Sequence, residues 1–358
     1  MRSTALRLGT GLLAVAAAFT GMTGTATAGD DPKATGAAVS ALSSVPYVTI
    51  TSAGPIGSIH LGNELSCQVN IASPASTVVG SGLVGFGGGG QVYGPSHEPA
   101  DCGTFLSYGG MLYGPDFSSH GYSATPFGWG NPYTAFTPVS QTPPTGSGTL
   151  TDPYIVTTVV DAGTTGIRLT RIDTYVTGRT DYRSDVVVTN TTGTALSGLR
   201  LYHGLDCYLA GSDTGTGVAV ASAATATSRV GCTSNNRTMQ LVSQSAGNGY
   251  YEDDYWAVWE RIDGRLPLPN TTDPTLVDNG IAIDWAFALP AHGSVIRSFL
   301  TQFVSSPIVI WTPVDPIRVA VVVRPGESAT DLPEAGVLVA VSAAGVEQSF
   351  SLWVPTGS

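Results

Sequence analysis

Between Tyr47 and Phe303 the chain is a succession of short runs rich in Val, Ile and Thr, each bounded by Gly, Pro or Asn. PYVTIT, GSIHLG, ELSCQVNI and TVVGSGLVG come first. YIVTTVV, GIRLTRIDTYVTG, RSDVVVTN and GLRLYHG follow, then TMQLVS, YWAVWE, GIAIDWAFAL and SVIRSFLTQF. Such runs read as strands, and alternation of apolar and polar residues gives each one buried and one wet face. No stretch in this span shows sustained helical periodicity with caps. The expectation is an all-β fold, a large antiparallel β-sandwich of supersandwich scale. In GIRLTRIDTYVTG the alternation holds at Ile167 and Leu169 and changes phase at Ile172, as a bulge would cause. Pro290 to Gly293 reads as a hairpin turn joining the last two runs.

The segment Asp181 to Gly217 carries the densest chemistry. RSDVVVTN and GLRLYHG flank a Thr/Gly-rich reversal and bring His203, Asp206, Cys207 and Asp213 to one end of a sheet.

Residues 1–28 read as an export signal. Arg2 and Arg7 precede an apolar run from Leu8 to Phe19, and Ala26-Thr27-Ala28 is a small-residue cleavage site. The run is shorter than the ~20 residues of a membrane span. The mature chain then starts at Gly29, with 29–44 a flexible arm, and the C-terminal SLWVPTGS has no sorting-signal pattern. The expected location is outside the cell, released or held at its surface, without membrane insertion after cleavage. Residues 45–306 form the main domain, and 307–358 read as a small C-terminal β unit or added strands. From Gln91 to Gly148 Gly and Pro interrupt nearly every run. Tyr108, Tyr113, Tyr122, Trp129 and Tyr133 there either plug sheet edges or line a sugar-facing shelf. Gly87 to Gly90 lacks the Lys-Ser/Thr of a phosphate loop and reads as a connection.

The formal charge of −11 falls by two, to −13, once Arg2 and Arg7 are lost, and Lys33 is the only lysine. Phosphate backbones are bound through Lys and Arg, so nucleic acid is not an expected partner. The four cysteines of an exported chain point to disulfides, and Cys67–Cys102 with Cys207–Cys232 closes two local loops. No pair of them has the spacing of zinc ligands.

His203 and Asp206 make a candidate acid/base pair, a task suited to a histidine titrating near neutrality; the alternative is a structural histidine. Asp206 and Asp213, with the Ser212 to Gly217 loop, offer oxygens for calcium, or are turn residues. No other cofactor is implied. Tyr251, Glu252, Asp253, Asp254 and Trp256, with Trp129 and Tyr133, are candidate ligand-binding residues, because rings stack on sugar faces while acids bond hydroxyls. The alternative is an acidic turn before a Trp-rich core strand. Asp278-Asn279-Gly280 reads as a turn of little functional content.

VVVTN ending at Asn190, followed by LYHGLDCYLAG, resembles a segment of the aldose epimerases, galactose-mutarotase-like proteins in which His-Pro-Tyr-Phe follows a turn after V-x-N. The resemblance spans about residues 185–215 and implies that His203 protonates a sugar ring oxygen. Gly204 and Leu205 stand where that family has Pro-Tyr. The strings LYGPDF, TPVSQT, DTYVTG and DCYLAGSD resemble a group of exported actinobacterial β-sandwich proteins, which implies a shared fold and export but no reaction.

Three functions follow as expectations. The first is a secreted, non-catalytic binder of polysaccharide or a surface protein, which leans away from an enzyme. The second is a sugar-directed enzyme (epimerase, glycoside hydrolase or lyase) using His203 with nearby carboxylates. The third is a structural component of a surface assembly.

Overall fold

The computed structural model describes residues 46–71, 89–90, 99, 102–116, 131–209, 212–223, 225–234 and 237–304. The signal segment, the arm, the run TVVGSGLVG, Tyr122, Trp129 and the unit 307–358 lie outside these residues. The described chain is β throughout apart from one short helix, as its alternation requires.

Strands β1 (Tyr47–Thr51), β2 (Ile56–Gly62), β3 (Cys67–Ile71) and β4 (Gly89–Gly90) form a small antiparallel sheet. The remaining strands make one sheet of 14. They are β5 (Cys102–Tyr108), β6 (Met111–Gly114), β7 (Tyr133–Ala135), β8 (Thr137–Gln141), β9 (Tyr154–Asp161), β10 (Ile167–Tyr175) and β11 (Asp181–Asn190). The series continues with β12 (Leu196–Asp206), β13 (Thr214–Ser222), β14 (Thr227–Ser234), β15 (Arg237–Ser243), β16 (Gly249–Asp254), β17 (Val277–Leu289) and β18 (Ser294–Val304). Their spatial order is β7-β6-β5-β12-β17-β13-β14-β15-β18-β11-β10-β9-β8, with β16 paired to β17. Every pairing is antiparallel except β6 with β7. The sheet wraps onto itself, so Val156, Leu169, Val186, Leu201, Leu205, Ile283, Trp285 and Phe299 from distant strands share one core.

Two disulfides tie this body together, with the pairing expected from loop locality. Cys67–Cys102 joins the small sheet to the large one, and Cys207–Cys232 joins the end of β12 to β14. For sequence separations of 35 and 25 residues, loop-closure entropy gives about 3.8 and 3.5 kcal/mol.

Three local expectations are corrected. YWAVWE is not a strand: α1 spans Tyr255–Asp263. Tyr255, Val258, Trp259 and Ile262 are its buried stripe, the i, i+3, i+4, i+7 spacing of an amphipathic helix. The Asp254 side chain caps it by accepting from the Trp256 N–H at 2.9 Å, a bond worth about 1 kcal/mol. Ile172 marks no bulge either. Strand β10 pairs without register shift, and its inward positions continue through Arg171 and Asp173, each 1% exposed. An ion pair replaces the expected apolar residues there, which leaves Ile172 on the outer side. Finally, Pro290–Gly293 is a turn, with Gly293 N–H donating to Pro290 O at 3.0 Å, but β17 and β18 do not form a hairpin. β13, β14 and β15 stand between them.

Helix α1 lies on the outer face of β12 and β17, packed with Phe105, Tyr202 and Ala282. Gly204 permits that approach: a Cβ there would sit 2.9 Å from Ile262 Cδ1 and 3.0 Å from Trp259 Cζ3. This close contact accounts for a glycine directly after His203.

Candidate functional site

At one end of the sheet β12, β13, β16 and β17 converge. Asp206 closes β12 opposite Gly280, Asp278 lies in β17 opposite Thr214, and Asp213 immediately precedes β13. The Cys207–Cys232 bridge pins this end. Asp206, Asp213 and Asp278 each place a carboxylate oxygen within 4.8 Å of the others. Oxygen ligands at that spacing make a geometrically plausible site for a hard cation. Asp278 belongs to β17 rather than to a separate turn, so the Asp278-Asn279-Gly280 expectation is corrected.

Asn279, the next residue, points to the opposite face by strand alternation. Its Nδ2 donates to Glu252 Oε1 at 2.9 Å, and the Asp273 N–H donates to Glu252 Oε2 at 2.8 Å. Glu252 is 0% exposed. Gly217 makes the space, since a Cβ there would fall 1.6 Å from Glu252 Oε2. Burial pushes the Glu252 carboxyl up to about 7; the two hydrogen bonds oppose that rise, and the charges of Asp253 and Asp273 add to it. Asp273 behaves in the opposite way. Its carboxylate accepts from both the hydroxyl and the N–H of Thr275 at 2.7 Å, which lowers it below the usual range.

The other acids of this stretch are structural in their contacts. Asp253 accepts from the Tyr251 hydroxyl at 2.7 Å and from the Asp254 N–H at 2.8 Å, while Asp254 caps α1. Burial, then the bond to Asp253, raise the Tyr251 phenol. Trp256 is half-buried on α1, its ring 5.2 Å from that of Tyr255. Tyr133 sits elsewhere, half-buried, donating to Pro115 O; burial and the charges of Asp116, Glu64 and Asp263 raise its phenol well above the ordinary value.

His203 is inside the molecule. It is 0% exposed, Nδ1 lies 3.0 Å from Thr104 Oγ1, and the ring is 4.4 Å from Phe299. Burial, then the Arg171 charge, hold it well below its ordinary value, so it is neutral. It is three positions from Asp206 in one strand, which places the two on opposite faces. The Cys67 and Cys102 sulfurs lie within 4.8 Å of the His203 ring nitrogens, but both are in a disulfide and offer no thiolate to a metal.

The expectation of a non-catalytic binder, and the leaning away from an enzyme, are corrected here. The groups that gather, a carboxylate cluster at Asp206, Asp213 and Asp278 able to hold a metal and a buried Glu252 carboxyl against Asp273, give the fold catalytic potential rather than a purely binding character. Asp273 is missing from the sequence reading. Its signal was D-P-T, an Asx-turn pattern, but nothing in the sequence places it against Glu252.

No family profile matches the sequence, and no curated protein does. Solved structures show a distant resemblance to folds of the GH36 and aldose-epimerase kind. A GH36 α-galactosidase, AgaA, from Geobacillus stearothermophilus superposes with a TM-score of 0.36 at 9% identity, covering 73% of this chain and 41% of that one. The heparan sulfate lyase HepC from Pedobacter heparinus gives 0.33 at 11%, covering 72% and 37%. An Escherichia coli K12 protein named as a candidate aldose 1-epimerase gives 0.31 at 10%, covering 72% and 98%. The chain thus spans about two fifths of the first of these. At such scores the likeness bears on neither activity nor substrate.

Proposed function

We propose that this protein is an exported, carbohydrate-directed acid/base enzyme in which Glu252 is the general acid and Asp273 the ionised partner. One observation carries the reading. Glu252 is a buried carboxyl hydrogen-bonded to the backbone of Asp273, while the Asp273 carboxylate lies on the open side, held by Thr275. Environments that push two neighbouring carboxyls apart divide the acid and base roles between them. With an anionic chain almost without lysine, a neutral polyhydroxylated substrate is favoured over an anionic one. A proton passes from Glu252 to the glycosidic oxygen as the C–O bond breaks, and Asp273 stabilises the developing positive charge or activates water. Because Glu252 is sealed by the segment around Asp273, substrate entry requires that segment to lift.

The same proposal assigns calcium to Asp206, Asp213 and Asp278, as a brace for the adjoining strand ends; three carboxylates suit this ion. Export rests on the N-terminal pattern and on the two disulfides. Kinship with the exported actinobacterial β proteins belongs to this proposal too.

The test is release of reducing ends from a panel of neutral oligosaccharides and polysaccharides. Wild type is expected to act on at least one, with Glu252→Gln and Asp273→Asn each losing 100-fold or more, the scale of general acid–base catalysis. Turnover unchanged by Glu252→Gln overturns the assignment, and no turnover across the panel overturns the substrate class.

A further inference from the structure

The small sheet turns Ile50, Ile59, Leu61 and Val69 of β1, β2 and β3 toward the core. By strand alternation Thr49, Ser58, His60 and Asn70 lie on its other face. Thr49 stands opposite His60, and Ser58 opposite Asn70, so the four side chains meet. His60 is 5% and Asn70 8% exposed, whereas Ser58 and Thr49 are half-buried and partly open to solvent. Ser58 Oγ lies 2.8 Å from His60 Nε2, and Thr49 Oγ1 lies 2.9 Å from Nδ1 of the same ring. Asn70 Nδ2 donates to Ser58 Oγ at 3.2 Å. An amide nitrogen only donates, so Ser58 accepts there and has its own proton to give to Nε2. With Nε2 accepting, the neutral ring carries its proton on Nδ1 and donates it to Thr49. The bonds then run in one direction, from Asn70 through Ser58 and His60 to Thr49. The Tyr47 ring meets the imidazole edge-on, centroids 5.5 Å apart at 76°, and steadies its plane.

We propose that Ser58 and His60 are a nucleophile and general base that hydrolyse neutral carboxylic esters, at a site built from none of the residues assigned to sugar chemistry above. A nucleophile bonded to a base, with the base oriented by a third group, is the arrangement that activates a serine. Ser58 Oγ forms a bond to the acyl carbon as its proton passes to His60 Nε2. His60 gives that proton to the leaving oxygen as the ester C–O bond breaks, and an alcohol departs. Water then attacks acyl-Ser58 through the same base, which releases the carboxylic acid and returns the proton to Ser58. The sum is ester plus water to alcohol plus acid. Asn70 Nδ2, beside Oγ, is placed to donate to the carbonyl oxygen as it gains charge. Thr49 is neutral where the familiar triads have a carboxylate, so it stabilises the imidazolium less. That limits the pair to esters, whose alkoxide leaves more readily than the nitrogen of an amide. The groups flanking the pair, Thr49, Asn70 and Tyr47, carry no charge, which favours a neutral ester.

The test exposes the purified full chain to a fluorophosphonate, which phosphonylates activated serines, and separately to p-nitrophenyl acetate. The expected result is a phosphonyl adduct mapped by peptide mass spectrometry to Ser58. Ester hydrolysis is expected to fall by about 100-fold or more in Ser58→Ala and in His60→Gln. Thr49→Val, which removes the orienting hydroxyl, is expected to lower kcat and leave KM unchanged. A wild-type chain in which Ser58 stays unlabelled overturns the proposal without recourse to any variant. Hydrolysis that persists in Ser58→Ala also overturns it, because another group is then the nucleophile.

Discussion

Replacing Glu252 by Gln removes one titrating proton from the interior and leaves the side chain's shape. The effect on stability therefore depends on pH in a calculable way. In the folded protein burial holds the Glu252 carboxyl at about 7, against an ordinary value of 4.5. A carboxyl raised on folding binds more protons in the native state, so its contribution is fully present below pH 4.5 and is lost as pH rises through 7. The difference of roughly 2.5 units corresponds to about 3 kcal/mol at 1.36 kcal/mol per unit. The substitution also disturbs the bond from the Asp273 N–H, because an amide nitrogen can replace the accepting oxygen. That loss is independent of pH and cancels when two pH values are compared. The expectation is that wild type minus Glu252→Gln, measured by urea unfolding, is more favourable to wild type at pH 4 than at pH 8.5 by about 3 kcal/mol. In melting temperature this is roughly 6–12 °C for a domain of this size. A difference that stays constant between the two pH values, within about 0.5 kcal/mol, refutes the claim that Glu252 is held protonated by its surroundings.

Other expectations follow from the same geometry. His203 is buried against Thr104 and Phe299 and feels the Arg171 charge, with a folded value well below 6.5, so stability is lost as pH falls below 6.5. Chemical denaturation is expected to show up to about 1.4 kcal/mol lost per pH unit there, and a His203→Gln chain is expected to lose that slope. Gly204→Ala drives a Cβ against Ile262 and Trp259 and is expected to cost about 1–3 kcal/mol, read from the urea midpoint. A Cys207→Ser, Cys232→Ser chain is expected to lose about 3.5 kcal/mol. Calcium is expected to raise the melting temperature of wild type, with chelator reversing it, and Asp278→Asn is expected to abolish the shift; a shift that survives the substitution would place the ion elsewhere.

Much of the strand content was legible because alternation is a local signal: β9, β11 and β18 lie where their Val, Ile and Thr runs predict. The cysteine pairing was legible for the same reason, each bridge closing a short loop. What failed involved charges in core positions and partners distant in sequence. β10 looked broken at Ile172 because Arg171 and Asp173, two residues apart, pair with each other and so occupy inward positions that a hydropathy pattern reserves for apolar residues. α1 was hidden by composition, since Tyr, Trp and Val favour strands, although the stripe Tyr255, Val258, Trp259, Ile262 and the capping Asp254 were both in view. The acidic end of the sheet was half legible. Asp206 and Asp213 flank Cys207 in sequence, but Asp278 joins them only through β17 pairing, and Asp273 meets Glu252 only through a backbone contact 21 residues away.

The most direct test is the pH dependence of kcat/KM on whichever neutral saccharide is turned over. Glu252 must carry its proton to act, so the rate is expected to hold through mildly acidic pH and fall with a midpoint near 7. A rate that stays level from pH 5 to 9, or one that survives Glu252→Gln, would contradict it.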